Sequence, residues 1–219
     1  MNKVVSSADR ASAIAMERLA GSAPVGQLVA ACRGGGMAVL VEDTRDGVQG
    51  QLVIAADHAG AEAINYLARH ARGLVCVALH EAIVDRLRLS LLPQTNRARL
   101  ATAYTISIEA REGVSTGISA RDRALTIAAA IRPDARAEDL ASPGHVFPIR
   151  VEEGEIRARP TAAAALVELC RDAGLSPAGV LCAIMNADGS MAGEGDLVAF
   201  AETHGLPIAR ARDIAPDLC

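Results

Sequence analysis

Apolar residues along the chain fall into two alternating periods. Short buried runs recur at Met37–Glu42, Gln51–Asp57, Gly73–Leu79 and Gly179–Met185, each with the length and flanks of a strand. Between them, apolar residues return every three or four positions. That spacing predicts helices over Val25–Arg33, Gly60–Arg72, His80–Leu91, Ala120–Ile131, Thr161–Ala173 and Asp196–His204. Met1 to about Ser22 carries a weaker stripe (Ile14, Met16, Leu19, Ala20) and is expected to form a helical arm over 1–24 that precedes one domain over 25–219. Residues 43–50 read as a polar loop, residues 150–159 as a polar segment with a turn at Glu153-Gly154, Asn186–Gly189 as a turn, and Pro207–Arg210 as a short strand. Alternating helices and buried strands predict an α/β or mixed α+β layered domain.

The stretch Thr102–Ile149 concentrates polar groups at element ends. Tyr104, Ile106 and Ile108 alternate with Thr105, Ser107 and Glu109, the period of a strand with one polar face. Ser119 suits the N-cap of the helix that Pro133 ends, and Asp122 lies three residues on, in a capping-box-like spacing. Thr116, Gly117 and Ser119 could offer backbone N–H groups to a phosphate. They fit better an ordinary capped helix, with Asp122, Arg123 and Thr126 as a structural network. Gly34-Gly-Gly36 lacks the following Lys-Ser/Thr of a P-loop and fits a turn.

Composition narrows the class. Hydrophobic residues make up 51% of the chain and aromatics only 2%, so the core must be built from Ala, Leu, Val and Ile. A net charge of −4 without a basic stripe argues against nucleic acid. No apolar run has the length of a membrane span and the N-terminus lacks a signal-peptide pattern, so a cytoplasmic protein without a membrane partner is expected. None of the five cysteines are in C-x-x-C spacing, which argues against zinc. Cys76 and Cys182 sit in apolar runs and fit small core residues.

The words Thr102-Ala-Tyr-Thr, Thr116-Gly-Ile-Ser-Ala-Arg-Asp-Arg, Pro143-Gly-His-Val-Phe-Pro and Met185-Asn-Ala-Asp-Gly-Ser-Met-Ala resemble the 3,4-dihydroxy-2-butanone 4-phosphate synthase family of riboflavin biosynthesis. The resemblance spans about residues 25 to 212. It implies a three-layer sandwich with a mixed central β-sheet, and a homodimer with active sites at or near the subunit interface. It also implies conversion of ribulose 5-phosphate to 3,4-dihydroxy-2-butanone 4-phosphate and formate, with a divalent metal polarising vicinal oxygens and several groups moving protons.

Aligned on its flanks, the acidic Arg-Glu-Asn-Glu-Gly-Asp loop of the family falls on Asp46-Gly-Val-Gln-Gly-Gln51. A metal-binding Glu thus becomes Gly47 and a substrate-binding Asp becomes Gln51. The His of Gly-His-Thr-Glu falls on Ala162, and a late catalytic Glu on Ala183. Gly and Ala cannot coordinate Mg²⁺. His145 and Arg159 persist. The leading expectation is therefore a metal-independent enzyme, with no cofactor, acting on a different phosphorylated or carbonyl substrate. His145 is its acid/base, and Arg159, Thr105, Ser107, Thr116 and Asp43 are its binding residues. Two alternatives stand beside it: a non-catalytic binding protein on the same fold, and a retained synthase whose metal site is rebuilt from Glu42, Asp43 and Asp46.

Overall fold

A computed structural model describes residues 23–45, 47–93 and 102–214. The predicted arm before residue 23 and Asp46 lie outside the described residues. In chain order the elements are α1 (Val25–Arg33), β1 (Ala38–Thr44), β2 (Gly47–Ala55), α2 (Ala61–His70), β3 (Arg72–His80), α3 (Glu81–Arg86) and β4 (Ile108–Ala110). Then follow α4 (Ala120–Ile131), β5 (Leu140–Val151), α5 (Glu155–Ala158), α6 (Ala162–Asp172), β6 (Ala178–Ile184), α7 (Glu194–His204), β7 (Ile208–Arg210) and α8 (Ala211–Ile214).

The strands form one mixed seven-stranded sheet in the order β4-β5-β3-β6-β2-β1-β7. β6 lies antiparallel to both β2 and β3, while β3/β5 and β1/β7 are the parallel pairs. Successive residues of β1 show why two helical layers are needed. Val39 and Val41 enter one core with Ile64, Leu67, Ile127 and Leu197, while Ala38 and Leu40 enter the other with Leu28, Leu166 and Leu169. A sheet buried on both faces reads as continuous apolar runs, and that is how its central strands stand out in the sequence. The three-layer expectation holds.

Several boundaries differ from expectation. Of the stretch expected as a loop, Asp43 and Thr44 continue β1 and Gly47, Val48, Gln49 and Gly50 continue β2, with Asp43 opposite Val48 and Thr44 opposite Gly47. Asp43 and Thr44 are polar because this end of the hairpin projects from the core. The helix expected over His80–Leu91 stops at Arg86, and Arg88 takes a left-handed φ of 53° that a helix cannot continue through. The strand expected from Thr102 is regular only over Ile108–Ala110, preceded by single bridges from Tyr104 to Ile149 and from Thr105 to Leu91. The segment expected to be polar after Ile149 splits between the end of β5 and the single turn of α5.

Helix α6 rests directly on the sheet. Ala162, Ala163, Ala164 and Ala165 are all buried, and Leu166 is inaccessible to solvent. Leu166 fills the space above Gly179 of β6, where any Cβ would collide with it. Leu166→Ala should therefore leave a cavity over Gly179 and cost about 2–5 kcal/mol in urea unfolding; a loss below about 1 kcal/mol would contradict this packing.

Candidate functional site

A cavity of about 570 Å³ opens beside the N-terminus of α6. The end of β1 (Glu42, Asp43), the start of β2 (Gln49, Gln51), β3 (Leu74, Cys76) and the end of β6 (Ala183) form its sheet wall. Tyr104, Arg159 and Thr161 close it. The first turn of α6 is capped from two sides: the Ala164 N–H donates to Thr161 Oγ1 at 3.1 Å, and the Ala162 N–H donates to Glu42 Oε2 at 2.8 Å. Glu42 thus gains a backbone donor at a helix N-terminus, where the dipole favours an anion.

Burial nevertheless prevails and pushes the Glu42 carboxyl above its ordinary range, against the Ala162 bond and the Arg159 charge, both of which pull it down. The Cys76 thiol donates to the Leu74 carbonyl at 3.7 Å, and burial pushes both this thiol and the neighbouring Tyr104 hydroxyl up to about 12. Cys76 therefore stays a thiol at neutral pH and is not poised as a nucleophile. The wall combines apolar surface with protonated donors and one carboxyl that is easily protonated.

The expected binding and catalytic residues separate into groups. Asp43 and Arg159 line the cavity. Asp43 is held by Arg210 at 2.8 Å and by Arg212 at 3.1 Å, and Arg159 pairs with Glu155 at 2.6 Å. His145, Ser107, Thr105 and Thr116 are not on its lining. The His145 Nδ1 lies 3.4 Å from Glu109 Oε1, on the surface. Ser107 holds the backbone together: its Oγ accepts from Gly144 N–H at 3.1 Å and its carbonyl accepts from Ser142 Oγ at 2.7 Å. Thr105 is fully buried, its hydroxyl donating to the Ile106 carbonyl at 3.1 Å.

Thr116 is exposed, and the donors around it are already engaged. Asp122 Oδ2 accepts from Ser115 Oγ (2.8 Å), Ser115 N–H (3.3 Å) and Gly117 N–H (3.1 Å). These bonds, the Ser115 hydroxyl first, hold the Asp122 carboxyl below its ordinary range. Ser119 caps α4 as expected, accepting from Asp122 N–H at 3.0 Å. The Asp122 side chain turns away from a capping box and takes the Ser115 and Gly117 donors that a phosphate would need.

The positions aligned with the acidic loop, the second histidine and the late glutamate are also placed. Gln51 and Ala183 face each other across β2 and β6 on the cavity wall, Ala162 is buried at the start of α6, and Gly47 is exposed in the hairpin. Sequence reasoning overlooked Gln49 and the Cys76–Tyr104 pair as cavity groups. Pairing of polar residues across the hairpin was the available signal for the first.

A family model for 3,4-dihydroxy-2-butanone 4-phosphate synthase matches residues 26–216. The chain belongs to the 3,4-dihydroxy-2-butanone 4-phosphate synthase family. Curated relatives carrying that name include one from Neisseria meningitidis, 41% identical over 191 residues, covering 87% of this chain and 53% of the relative. One from Ralstonia nicotianae is 46% identical over 177 residues, covering 81% of this chain and 78% of the relative. The chain spans about half the length of the N. meningitidis and Pseudomonas aeruginosa relatives. Among solved structures, a two-domain synthase from A. baumannii superposes with a TM-score of 0.83 at 42% identity, covering 88% of this chain and 56% of that one. A synthase in complex with two magnesium ions superposes with a TM-score of 0.82 at 33% identity, covering 88% and 94%.

These relatives correct two expectations. A metal-independent enzyme acting on a different substrate is the wrong leading reading, because relatives of 41–46% identity across most of this chain carry the synthase name. The expectation of no cofactor is corrected by the neighbour that binds magnesium. The donors available to such an ion are the cavity acids Glu42, Asp43 and Glu155 and the side-chain oxygens of Gln49 and Gln51. Each acid is engaged by a backbone N–H or a guanidinium, and among the described residues no group of three or more His, Cys, Asp or Glu converges as a metal site. The described side chains do not by themselves make a magnesium ligand set.

The Glu42 carboxyl gives a pH prediction. Its native pKa is raised, so the stability of the neutral form is present at acid pH and is lost as pH rises through that value. Glu42→Gln should therefore gain stability relative to the unaltered protein between about pH 4 and pH 8 in urea unfolding. A constant or shrinking difference would show that Glu42 ionises without penalty.

Proposed function

We propose that the chain carries 3,4-dihydroxy-2-butanone 4-phosphate synthase activity, converting ribulose 5-phosphate to 3,4-dihydroxy-2-butanone 4-phosphate and formate with magnesium. The observation that carries this reading is identity of 41–46% to synthases of that name, together with a family match over residues 26–216 that contains the whole cavity. The sugar phosphate would lie along the wall of β1, β2 and β6. Arg159 would meet the phosphate through its fork of donors, next to the N-terminus of α6. Gln49 and Gln51 would bind hydroxyls, and the Glu42 carboxyl, with a pKa nearer neutrality than an ordinary glutamate, suits proton exchange with an enediol oxygen.

His145 stands outside the cavity lining of its own protomer, so a proton-transfer role would require delivery across a homodimer interface. The protein would work as a soluble homodimer with a phosphorylated sugar as its ligand and without nucleic acid. No helix among the described residues is long and apolar enough to cross a membrane.

Formate release from ribulose 5-phosphate, assayed with and without magnesium beside an active relative, tests this directly. Magnesium-dependent formate is expected. Arg159→Ala should lower kcat/KM about tenfold or more, the loss of a charge-assisted contact. Absence of formate at every magnesium concentration, with the relative active under the same conditions, would overturn the proposal.

A further inference from the structure

Away from the cavity, at the far end of α6, two thiols meet. Cys32 lies in the last turn of α1 and Cys170 in the last turn of α6. Both are buried in the same apolar cluster, and each is the neighbouring group that perturbs the other. The helices are clamped at this level: Arg33 donates from Nε to the Ala173 carbonyl and from Nη2 to the Asp172 carbonyl, each at 3.2 Å. Of the other described cysteines, Cys76 lies on the cavity wall in the same apolar cluster and Cys182 in the core on the opposite face of the sheet.

We propose that Cys32 and Cys170 form a reversible disulfide that staples α1 to α6. The oxidant is a low-molecular-weight disulfide such as oxidised glutathione. Cys32 attacks one sulfur of that disulfide as the thiolate, forming a mixed disulfide and releasing one glutathione thiolate. Cys170, deprotonated in turn, attacks the Cys32 sulfur and displaces the second. Two protein thiols and one oxidised glutathione become one protein disulfide and two reduced glutathiones.

The order follows from access: Cys32 lies on the short terminal helix α1, whereas Cys170 is fully enclosed on α6 against the sheet. Access follows from α1 itself. It has nine residues, no side-chain hydrogen bond at its Pro24 N-cap, and Gly34-Gly-Gly36 directly behind it. A helix so short and weakly capped belongs to the low-stability end of a fold and opens locally before the sheet does.

The test uses the whole chain, incubated with oxidised glutathione, alkylated and digested with trypsin. The expected result is a peptide pair joined through Cys32 and Cys170 that separates on adding reduced glutathione. It should be accompanied by a rise in Tm of roughly 5 °C or more, as a bridge closing so long a loop predicts. In Cys170→Ser the same treatment should stop at glutathione attached to Cys32. Full alkylation of both cysteines after oxidation would overturn the proposal. So would Cys32 stopping at the mixed disulfide in the unaltered chain, or a link from either cysteine to Cys219 instead.

Discussion

Helix α6 can lie close on the sheet because four consecutive alanines, Ala162–Ala165, present little side chain at its start, and because Gly179 leaves room below for Leu166. In a protein with so few aromatics, close approach of small residues supplies the dispersion contacts that large rings provide elsewhere. The same placement brings the N-terminus of α6 against the end of β1, where Glu42 and Thr161 satisfy its first amides. It sets Arg159 at the mouth of the cavity, and it carries Cys170 to the base of α1. Cavity, cap and thiol pair are consequences of one packing arrangement.

The family's sequence words are mostly structural in this molecule. Gly144 of Pro143-Gly-His lies against the Ile108 carbonyl, where any Cβ would collide. Gly117 holds a left-handed φ beside the Glu109 carboxylate, and Asp122 gathers the donors of Ser115 and Gly117. These contacts fix the connection between β4, α4 and β5, and they place His145 and Glu109 together at its surface. Retention of such words says that the scaffold is kept. The cavity, at the other end of α6's influence, is built from the hairpin and the strand ends.

Strand and helix periodicity carried most of the fold. The central strands were legible because burial on both faces makes them apolar throughout, and α4 was legible to its boundaries because Ser119 and Pro133 punctuate it. The tip of the β1–β2 hairpin was not, since its pairing is made by backbone groups under polar side chains. The early part of Thr102–Ala110 alternates like a strand but makes isolated bridges to two different partners, a tertiary arrangement that local pattern does not encode. The long β5 was hidden by Pro143, Gly144 and Pro148, residues that ordinarily mark turns.

Asp43 and Arg159, expected as binding residues, line the cavity, whereas His145, Ser107, Thr105 and Thr116 do not. The changes at Gly47, Gln51, Ala162 and Ala183 stand against an alignment of 191 residues that is 41% identical to a synthase. Glu42 changes that balance, because it is a carboxyl within the cavity whose burial alters its acidity. The central claim is that the cavity beside α6 is where the sugar phosphate binds. A crystal structure grown with ribulose 5-phosphate and magnesium tests it most directly. The account predicts the sugar along β1, β2 and β6 with its phosphate at Arg159; an empty cavity at saturating ligand, or a ligand held elsewhere, would contradict it.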